Sequence, residues 1–571
     1  MAVGTVIGDY LPIVRWLPHY RKVYLRIDVL AGLAVASVAI PTALGYATVA
    51  GVPVQVGLYA LPAALLVYAV FSSSRQVSVG PTSTVAIMSG AVVVQIMGGG
   101  IDPARAVALT CAVAVASGVL LTIAGVLRTG WMTDLISRPV ITGFTIGLSI
   151  LVIVSELPHL LGVTPKSNEL FPKLTSTLSQ ITDANLWTVA IGVVALSVVF
   201  VGPRISPRIP WALLLMVAGI FGAAWLHPQN ADIETLGAIP AGLPVPSVPG
   251  ISMSDLPAVL LGGASVALAG IGEGLAAGRV FAAQGGYRID SDQEMAGTGL
   301  ANIASGFTGG MSVTGSLSRT ATAAMSGART QITGVVAAVC VLLVLLWVTE
   351  PLSNVPRVFL SAIVIASVWP LLDWRGLWRY RSVRRNDFVA ALTALIGVLI
   401  LGPLYGLLAA IGISILGITL RSSQVTVDAL GKIPGEKAGW GAIQSDPDRK
   451  TKDGILILRV NAPIFWANST RVADLIMDMV DKNPDTKALV LTLEATSQMD
   501  TTALDSLTWL LRHLQARHVE LFIARLSAPA RAVCEKAGFE EALGEDHMWH
   551  SISQAVKSAG RSIDANNNEE R

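Results

Sequence analysis

A single arginine stands among small and hydroxylated residues in GSLSRTATAAMSGART, positions 315–330 of an otherwise strongly apolar chain. A second notable residue is Glu273, the only carboxylate that we find near the centre of a long apolar run. A guanidinium group beside hydroxyl donors is suited to holding an anion, and a carboxylate in apolar surroundings suggests transfer of a proton or cation. Other elements of the chain must hold these groups in position.

The composition indicates that those elements are membrane helices. Hydrophobic residues make up 53% of the 571 positions and charged residues 14%, against roughly 25% charged in soluble domains. Apolar runs long enough to cross a bilayer as helix recur from Ile27 to Leu420. The net charge of +2 does not indicate nucleic-acid binding, and the three separated cysteines predict neither a disulfide nor a metal site.

The apolar runs predict fourteen membrane spans. Their predicted bounds are 27–49, 55–71, 81–97, 104–127, 139–161, 185–202, 210–226, 257–283, 292–309, 317–328, 331–349, 356–372, 387–402 and 403–421. Cytoplasmic loops are enriched in Lys and Arg, and every loop on one side carries arginine, with five between Arg375 and Arg385. The long opposite loop, 227–256, contains neither Lys nor Arg. We therefore expect both termini in the cytoplasm and a location in the inner or plasma membrane.

The two halves of the membrane region contain a similar segment. PTSTVAIMSGA, residues 81–91, aligns without gaps with SRTATAAMSGA, residues 318–328, and five of the eleven positions are identical. The segments lie seven spans apart, so their orientations in the membrane would be opposite. Each follows a short, strand-like, glycine-containing stretch, QVSVG or MSVTG. This arrangement predicts an inverted repeat of seven plus seven spans; a chance match of two alanine-rich segments is the alternative.

The repeat also predicts an anion site. If QVSVG and MSVTG enter the membrane as extended chain, the helices after them begin near its midplane with their amino termini facing each other. Helix amino termini carry unpaired N–H groups and a partial positive charge, which favour an anion. Thr82, Thr84, Ser316 and Ser318 would add hydroxyl donors, and Arg319 would add a full charge. Alternatively, Arg319 extends toward water and the hydroxyls only cap helices.

Glu273 lies in the eighth predicted span, where an ionisable group is costly and by default functional. We interpret it as the proton carrier of the site. The alternative is a structural role as the partner of Arg279 or Arg319.

Two further polar residues lie in the first predicted span. Thr42 and Tyr46 are four residues apart on one helical face, beside Pro41, which is predicted to break the helix. These side chains would line the same cavity. Alternatively, Tyr46 packs between helices.

The sequence resembles a known family at these motifs. GVPVQVGLYALPAALLVYAVFSSSRQVSVGP, residues 51–81, and GYRIDSDQEMAGTGLANIASGFTGGMSVTGSLSRTA, residues 286–321, are similar to signatures of the sulfate permease (SulP) family of anion transporters. The resemblance implies a seven-plus-seven inverted repeat. Spans 1–4 and 8–11 would form a transport core that moves against a gate of spans 5–7 and 12–14.

The resemblance also implies a set of substrate-binding residues between the third and tenth helices, with Glu273 as the coupling carboxylate. That set is Thr42, Tyr46, Thr82, Ser316, Leu317, Ser318 and Arg319. Many relatives have Gln at the position of Thr42, and some have an aromatic residue at that of Thr82. These departures leave the size of the pocket and its anion preference open.

A second, polar part of the chain follows Arg421. GILILRV, KALVLTL and VELFIARL are typical of buried strands, and the segments STRVADLIMDMV, TALDSLTWLLRHLQARH and APARAVCEKAG are typical of helices, as in an α/β domain. This part resembles the STAS domain that ends sulfate permeases. The predicted divisions are a cytoplasmic amino-terminal segment over 1–26, a transport domain over 27–421, a linker over 422–453, the STAS domain over 454–560 and a polar tail over 561–571.

One loop of this domain, QMDTTALDSL over 498–507, matches the position at which soluble STAS relatives carry a phosphorylated serine. We expect Asp500 to cap a helix here. Phosphorylation of Thr501 or Thr502 is the alternative.

These features predict a secondary active transporter that imports a small anion with a proton. Sulfate is the first expected substrate, and bicarbonate or a dicarboxylate such as fumarate is a close alternative, since two helix dipoles and one arginine suit each of them. Sodium coupling is the mechanistic alternative, and an anion exchanger or a channel-like protein regulated through STAS is the alternative class. We expect a homodimer in the lipid bilayer, with no cofactor, metal, nucleic acid or enzymatic activity.

Overall fold

The structure of the protein, a computed structural model, contains a helical segment at each of the fourteen predicted spans. The described residues are 11–98, 102–130, 137–165, 170–206, 209–226, 233–237, 239–436, 439–446 and 448–569. The membrane helices are α1 Val23–Val49, α2 Gln55–Phe71, α3 Ser83–Met97, α4 Pro103–Val126, α5 Arg138–Leu161, α6 Leu186–Ile205, α7 Trp211–Leu226, α8 Leu256–Gln284, α9 Ser291–Phe307, α10 Leu317–Met325, α11 Ile332–Trp347, α12 Arg357–Val368 and α13 Arg385–Ser422, which forms two spans. Among the described residues, seven helical segments have the length and apolar composition of a full membrane span.

Two spans are half-helices. α3 has 15 residues and α10 has nine, about 22 and 14 Å, which is less than the roughly 30 Å of a bilayer core. The strand β1, Val79–Gly80, precedes α3, and β2, Thr314–Gly315, precedes α10. The strands pair antiparallel, Val79 opposite Gly315. The chain therefore leaves the pair in opposite directions, as the inverted repeat predicts.

Side chains from neighbouring helices hold the extended chain before each half-helix. Asn302 on α9 is 1% exposed; its Nδ2 donates to the carbonyl of Val313 at 2.7 Å, and its Oδ1 accepts from the amide of Val313 at 2.9 Å. On the other side, Nε2 of Gln331 donates to the carbonyls of Ser74 and Val77 at 2.9 and 3.0 Å. Irregular backbone in a membrane needs such partners, because no water is available there.

Two buried carboxylates join the halves of the repeat. Asp28 on α1 accepts a backbone amide and a threonine hydroxyl from residues 329–330, each at 2.7 Å. Glu294 on α9 accepts the backbone amides of residues 73–74 at 2.8 and 2.7 Å and the hydroxyl of Tyr68. Each half of the repeat thus supplies one carboxylate that holds a loop of the other half.

Asn302→Ala is expected to lower the free energy of unfolding by about 2–4 kcal/mol, because both backbone groups of Val313 would be left buried without partners. The measurement is the melting temperature of the purified protein in detergent. Asn354→Ala, at an exposed position, is the matched control and should melt like the wild type. An unchanged melting temperature for Asn302→Ala would show that water or another group replaces the carboxamide.

α1 is continuous from Val23 to Val49, so the break predicted at Pro41 is wrong. Proline removes one backbone donor, but the hydroxyl of Thr42 adds hydrogen bonds to the carbonyls of Val38 and Ala39 at 2.8 and 3.2 Å. Hydroxyl side chains of this kind allow proline inside membrane helices.

The boundary predicted between spans 13 and 14 is correct. Gly402 interrupts α13 with φ 83° and ψ 170°, a conformation that glycine adopts without the steric cost of a side chain. Pro403 follows at once, so the ladder of backbone hydrogen bonds cannot continue through this point.

The membrane helices pack in two groups. In the first, α9 packs on α4 and α2, α11 on α1 and α2, and α8 on α4 and α3. In the second, α12 packs on α6 and α5. α12 also meets α1, and α5 meets α3. A motion of one group against the other stays a prediction.

Shorter helices lie before and between the spans. They are Ile13–Trp16, Leu170–Ser179, Thr349–Ser353 and an arginine-rich helix, Trp374–Val383.

The second compact unit of the chain, Ile415–Arg571, contains an α/β domain. Its strands are β3 Val427–Lys432, β4 Trp440–Ala442, β5 Ile455–Val460, β6 Ala488–Thr492, β7 Glu520–Ala524 and β8 Met548–Trp549. The sheet order is β4-β3-β5-β6-β7-β8, with β5 to β8 parallel and β3 antiparallel to both neighbours. The domain's helices are α14 Ser469–Asp481, α15 Thr501–Gln515, α16 Ala528–Lys536, α17 Phe539–Leu543 and α18 Ile552–Glu569. The three predicted strands and three predicted helices are confirmed.

The predicted edges of this domain need correction. The linker predicted over 422–453 contains β3 and β4, and Val427 of β3 lies opposite Val460 of β5. The strand was missed because its sequence, VDALGK, mixes charged and apolar residues. The polar tail predicted over 561–571 is helical through Glu569, as the end of α18.

Asp500 caps α15, as predicted. Its Oδ1 accepts from the amide of Ala503 at 2.8 Å and its Oδ2 accepts from the amide of Trp466 at 2.7 Å. Thr501 and Thr502 are exposed in the first turn of the same helix.

Candidate anion-binding site

The amino termini of α3 and α10 meet beside the β1–β2 pair. The amide of Ser316 donates to the carbonyl of Ser78 at 3.0 Å, and the amide of Ser78 donates to the hydroxyl of Thr320 at 3.2 Å. Thr82 is the N-cap residue of α3 and Ser316 that of α10. The hydroxyl of Ser316 accepts from the amide of Arg319 at 3.4 Å. Two positive helix ends thus lie side by side, as the sequence predicts.

Arg319, in the first turn of α10, is 1% exposed. Its Nη1 donates to the carbonyl of Pro81 at 2.8 Å, so the guanidinium group bridges from α10 to the start of α3. Within the described residues, Nε and Nη2 have no hydrogen-bond partner. Gly80 makes room for the group, because a Cβ there would lie 3.0 Å from Nη2. A buried cation with unused donors is costly, so this group is the most direct indication of a ligand.

Glu273 on α8 faces the start of α3. The hydroxyl of Thr82 donates to its Oε2 at 3.0 Å, Thr84 approaches the same carboxylate, and Arg319 interacts with it electrostatically. The two threonine hydroxyls that were predicted to face the anion are therefore directed toward Glu273. Arg279, the other arginine considered as its partner, donates instead to a serine hydroxyl at 3.2 Å.

Close packing of α8 on β2 fixes the position of Glu273. The hydroxyl of Thr314 donates to the carbonyl of Gly270 at 2.6 Å, one turn before the carboxylate. A Cβ at Gly274 would lie 3.0 Å from the same hydroxyl oxygen. Sequence reasoning missed Thr314; the available signal was its place in MSVTG, the stretch predicted to be extended.

α1 contributes Tyr46 and Thr42, which are 7% and 6% exposed. The phenol of Tyr46 approaches the hydroxyls of Ser83 on α3 and Ser367 on α12, and it interacts electrostatically with both charged residues of the site. The hydroxyl of Thr42 is already donated within its own helix. Ser83 and Ser367 were not predicted, and a single serine in an apolar span such as α12 gives no sequence signal.

The site is exposed along α10. Leu317 is 50% exposed, and Ser318 is also exposed, with its hydroxyl 3.2 Å from that of Ser316. Thr82 and Arg319 are buried. The predicted residues thus include a buried arginine and two buried capping residues, with an accessible serine beside them, which suits capture of a small anion.

Comparisons with known proteins agree with this architecture. The profile of the sulfate permease family matches residues 25–394, and that of the STAS domain matches residues 446–558. A probable sulfate transporter of Mycobacterium tuberculosis is 34% identical over 544 residues, which cover 95% of this chain and 97% of that protein. Sulfate transporter 3.2 of Arabidopsis thaliana is 29% identical over 571 residues, which cover 95% of this chain and 88% of that protein.

Two solved structures share the fold. The murine Slc26a9 anion transporter in its inward-facing state matches with a TM-score of 0.90 at 21% identity, over 98% of this chain and 95% of that one. The transmembrane domain of the cyanobacterial bicarbonate transporter BicA matches with a TM-score of 0.61 at 23% identity, over 68% of this chain and 98% of that one. Because the family profile spans most of the membrane region and the mycobacterial relative covers nearly the whole chain, this chain belongs to the sulfate permease family and ends in a STAS domain.

Proposed function

We propose that the protein imports a small anion, in the first place sulfate, by alternating access and together with a proton. One observation carries the proposal: the buried guanidinium group of Arg319 has two nitrogen atoms without a partner in the described structure, at the point where two helix amino termini meet. A tetrahedral dianion can accept several such hydrogen bonds at once.

The pattern of exposure supports a carrier rather than a channel-like protein. The first turn of α3 is buried and α3 packs on α5 and α12, whereas the first two residues of α10, Leu317 and Ser318, are exposed. The site is thus accessible along α10 and covered along α3. If the arginine-bearing loops lie in the cytoplasm, as the sequence predicts, α10 is on the cytoplasmic side, and we interpret this conformation as open inward. Import then requires a second conformation that opens along α3.

Sulfate is favoured as the substrate because the mycobacterial and plant relatives are named as sulfate transporters. Bicarbonate is the second candidate, since BicA is named as a bicarbonate transporter, and a dicarboxylate such as fumarate is the third. For coupling, Glu273 is the proton carrier in our proposal, and Na⁺ bound at the same carboxylate is the alternative. We further propose a homodimer without enzymatic activity, in the inner or plasma membrane, with both termini cytoplasmic.

The decisive experiment is uptake of radiolabelled sulfate into proteoliposomes under an imposed pH or Na⁺ gradient, with bicarbonate and fumarate as competitors. Our proposal expects saturable uptake that an inward proton gradient drives above equilibrium. Uptake that never exceeds equilibrium would indicate a channel-like protein. Accumulation that requires Na⁺ would show that Na⁺, and not a proton, is the coupling ion.

Ser318→Phe is expected to reduce sulfate uptake at least tenfold, because a bulky ring at the exposed start of α10 would occupy the space beside Arg319. Thr82→Phe should have a similar effect, with the additional loss of the hydrogen bond to Glu273. The measurement is initial uptake by monodisperse protein in proteoliposomes. Thr175→Phe, on the surface helix Leu170–Ser179, is the control. Unchanged uptake in both variants would mean that the helix ends do not converge on the anion.

A further inference from the structure

The arginine-rich helix, Trp374–Val383, is a short amphipathic helix between the spans α12 and α13. Its sequence is WRGLWRYRSV. Asp373 caps it, with Oδ1 accepting from the amide of Gly376 at 2.8 Å. From Trp374 to Arg385 the chain carries five arginines and no carboxylate. The positive-inside pattern accounts for the side of the membrane on which this helix lies, but not for its folded, amphipathic form.

One face of the helix is fixed to the membrane helices. Leu377 is 4% exposed and packs with Ile146 of α5 and with Ala391 and Leu395 of α13. The hydroxyl of Tyr380 lies 3.3 Å from that of Thr142 on α5. These contacts give the helix a defined orientation relative to α5 and α13.

Outside this face, the helix exposes several large apolar side chains. Trp374 is 44% exposed, Trp378 is 55% exposed and Val383 is 77% exposed. The guanidinium carbon of Arg381 lies 5.4 Å from the centre of the Trp378 ring, which also stacks on Phe388. Tryptophans beside basic residues are typical of helices that lie in the membrane–water interface.

The arginines of this helix are exposed, and none of them forms an ion pair in the described part of the chain. Arg375 and Arg379 are four residues apart, so they share one side of the helix, next to the side that carries Trp374 and Trp378. The nearest carboxylates in sequence are Asp373, which is occupied as the cap, and Asp387. Two guanidinium groups beside two indole rings match the chemistry of an anionic phospholipid. The guanidinium groups suit its phosphate, and the indole rings suit the start of its acyl chains.

We propose that this helix is a binding site for anionic phospholipid, with Arg375 and Arg379 on the phosphate and Trp374 and Trp378 at the boundary of headgroup and acyl chain. Bound lipid would hold α5 and α13 at a constant depth, because Leu377 and Tyr380 connect the helix to them. The proposal is independent of transport, since it depends only on the location of the helix at a membrane surface. Each basic residue at such a surface contributes about fivefold to lipid binding, so two contribute about 25-fold.

The test is native mass spectrometry of the full-length protein in detergent, titrated with dioctanoyl phosphatidylglycerol or dioctanoyl phosphatidylcholine. We expect phosphatidylglycerol to bind at least tenfold more tightly than phosphatidylcholine. The double variant Arg375→Gln/Arg379→Gln should bind phosphatidylglycerol about 25-fold more weakly than the wild type. Arg204→Gln/Arg288→Gln, which removes the same charge at two exposed positions, should bind it like the wild type.

Arg375→Lys/Arg379→Lys keeps both charges and should retain most of the preference for phosphatidylglycerol. This result would show that the glutamine variant loses binding because it loses charge, and not because it misfolds. Equal affinity for the two lipids, or unchanged affinity in the glutamine variant, would overturn the proposal. Displacement of phosphatidylglycerol by a similar concentration of inorganic phosphate would also overturn it, because the site would then bind free anion and not lipid.

Discussion

Arg319→Ala is expected to weaken sulfate binding at least about 100-fold, equivalent to about 3 kcal/mol. The wild-type guanidinium is buried, and within the described residues only Nη1 has a partner, the carbonyl of Pro81. The two remaining nitrogens and the positive charge are therefore available to an anion in surroundings that screen charge poorly. Alanine removes the hydrogen-bond donors and the positive charge, so only the two helix ends would remain to bind the anion. The measurement is sulfate affinity of the purified variant by calorimetry or by stabilisation against heat.

Two further variants separate binding from folding. Arg319→Lys keeps the charge but loses the planar fork of donors, so about a tenfold loss of affinity is expected. Arg279→Ala removes an exposed arginine on α8 and should bind sulfate like the wild type. Wild-type affinity in a monodisperse Arg319→Ala protein would mean that the guanidinium group only joins α10 to Pro81.

The sequence predicted the membrane region well, because the bilayer imposes a length and a polarity on each span. The break at Gly402 was placed correctly, since glycine and proline together interrupt an apolar run. The meeting of α3 and α10 was also predictable, because the two halves keep a similar segment after a strand-like stretch. Each of those signals is a short stretch of sequence, or a match between two such stretches.

The directions of the polar side chains were less predictable. Thr82 was predicted to face the anion, yet its hydroxyl donates to Glu273, which lies 191 residues away in the sequence. Thr314 positions α8 through a carbonyl that no pattern identifies. Such contacts depend on how helices from opposite halves pack, and one hydroxyl in an alanine- and glycine-rich span leaves no periodic signal. β3 was missed for a similar reason, because its pairing with β5 decides its structure more than its own composition does.

Glu273→Gln is expected to preserve anion binding and sulfate exchange but to abolish accumulation driven by an inward proton gradient. The physical reason is charge. Moving a dianion inward against a negative membrane potential costs about 2.3 kcal/mol per charge per 100 mV, so unaided uptake is opposed. A carboxyl group beside the site can take up a proton outside, where it offsets the charge of the substrate, and release it inside.

The structure places Glu273 where such coupling is physically reasonable. Its carboxylate accepts a hydrogen bond from Thr82 at the start of α3 and interacts electrostatically with Arg319. A change in its charge would thus alter the electrostatic environment of both the helix end and the guanidinium group that bind the anion in our proposal. Glutamine keeps the size and hydrogen-bonding capacity of the protonated acid but can no longer release a proton.

The measurement pairs two assays on the same proteoliposomes, exchange of internal for external sulfate and uptake after an inward pH step. For Glu273→Gln we expect exchange within about threefold of the wild type and no accumulation above equilibrium. Glu234→Gln is the matched control, because that carboxylate lies in the loop before α8, where it binds His159 and Arg357; it should keep both activities. If Glu273→Gln still accumulates sulfate at the wild-type rate, the carboxylate is structural, and coupling must use Na⁺ or another residue. Loss of exchange as well would instead show that the ionised carboxylate is needed for the site to bind or move the anion at all, since glutamine preserves its shape.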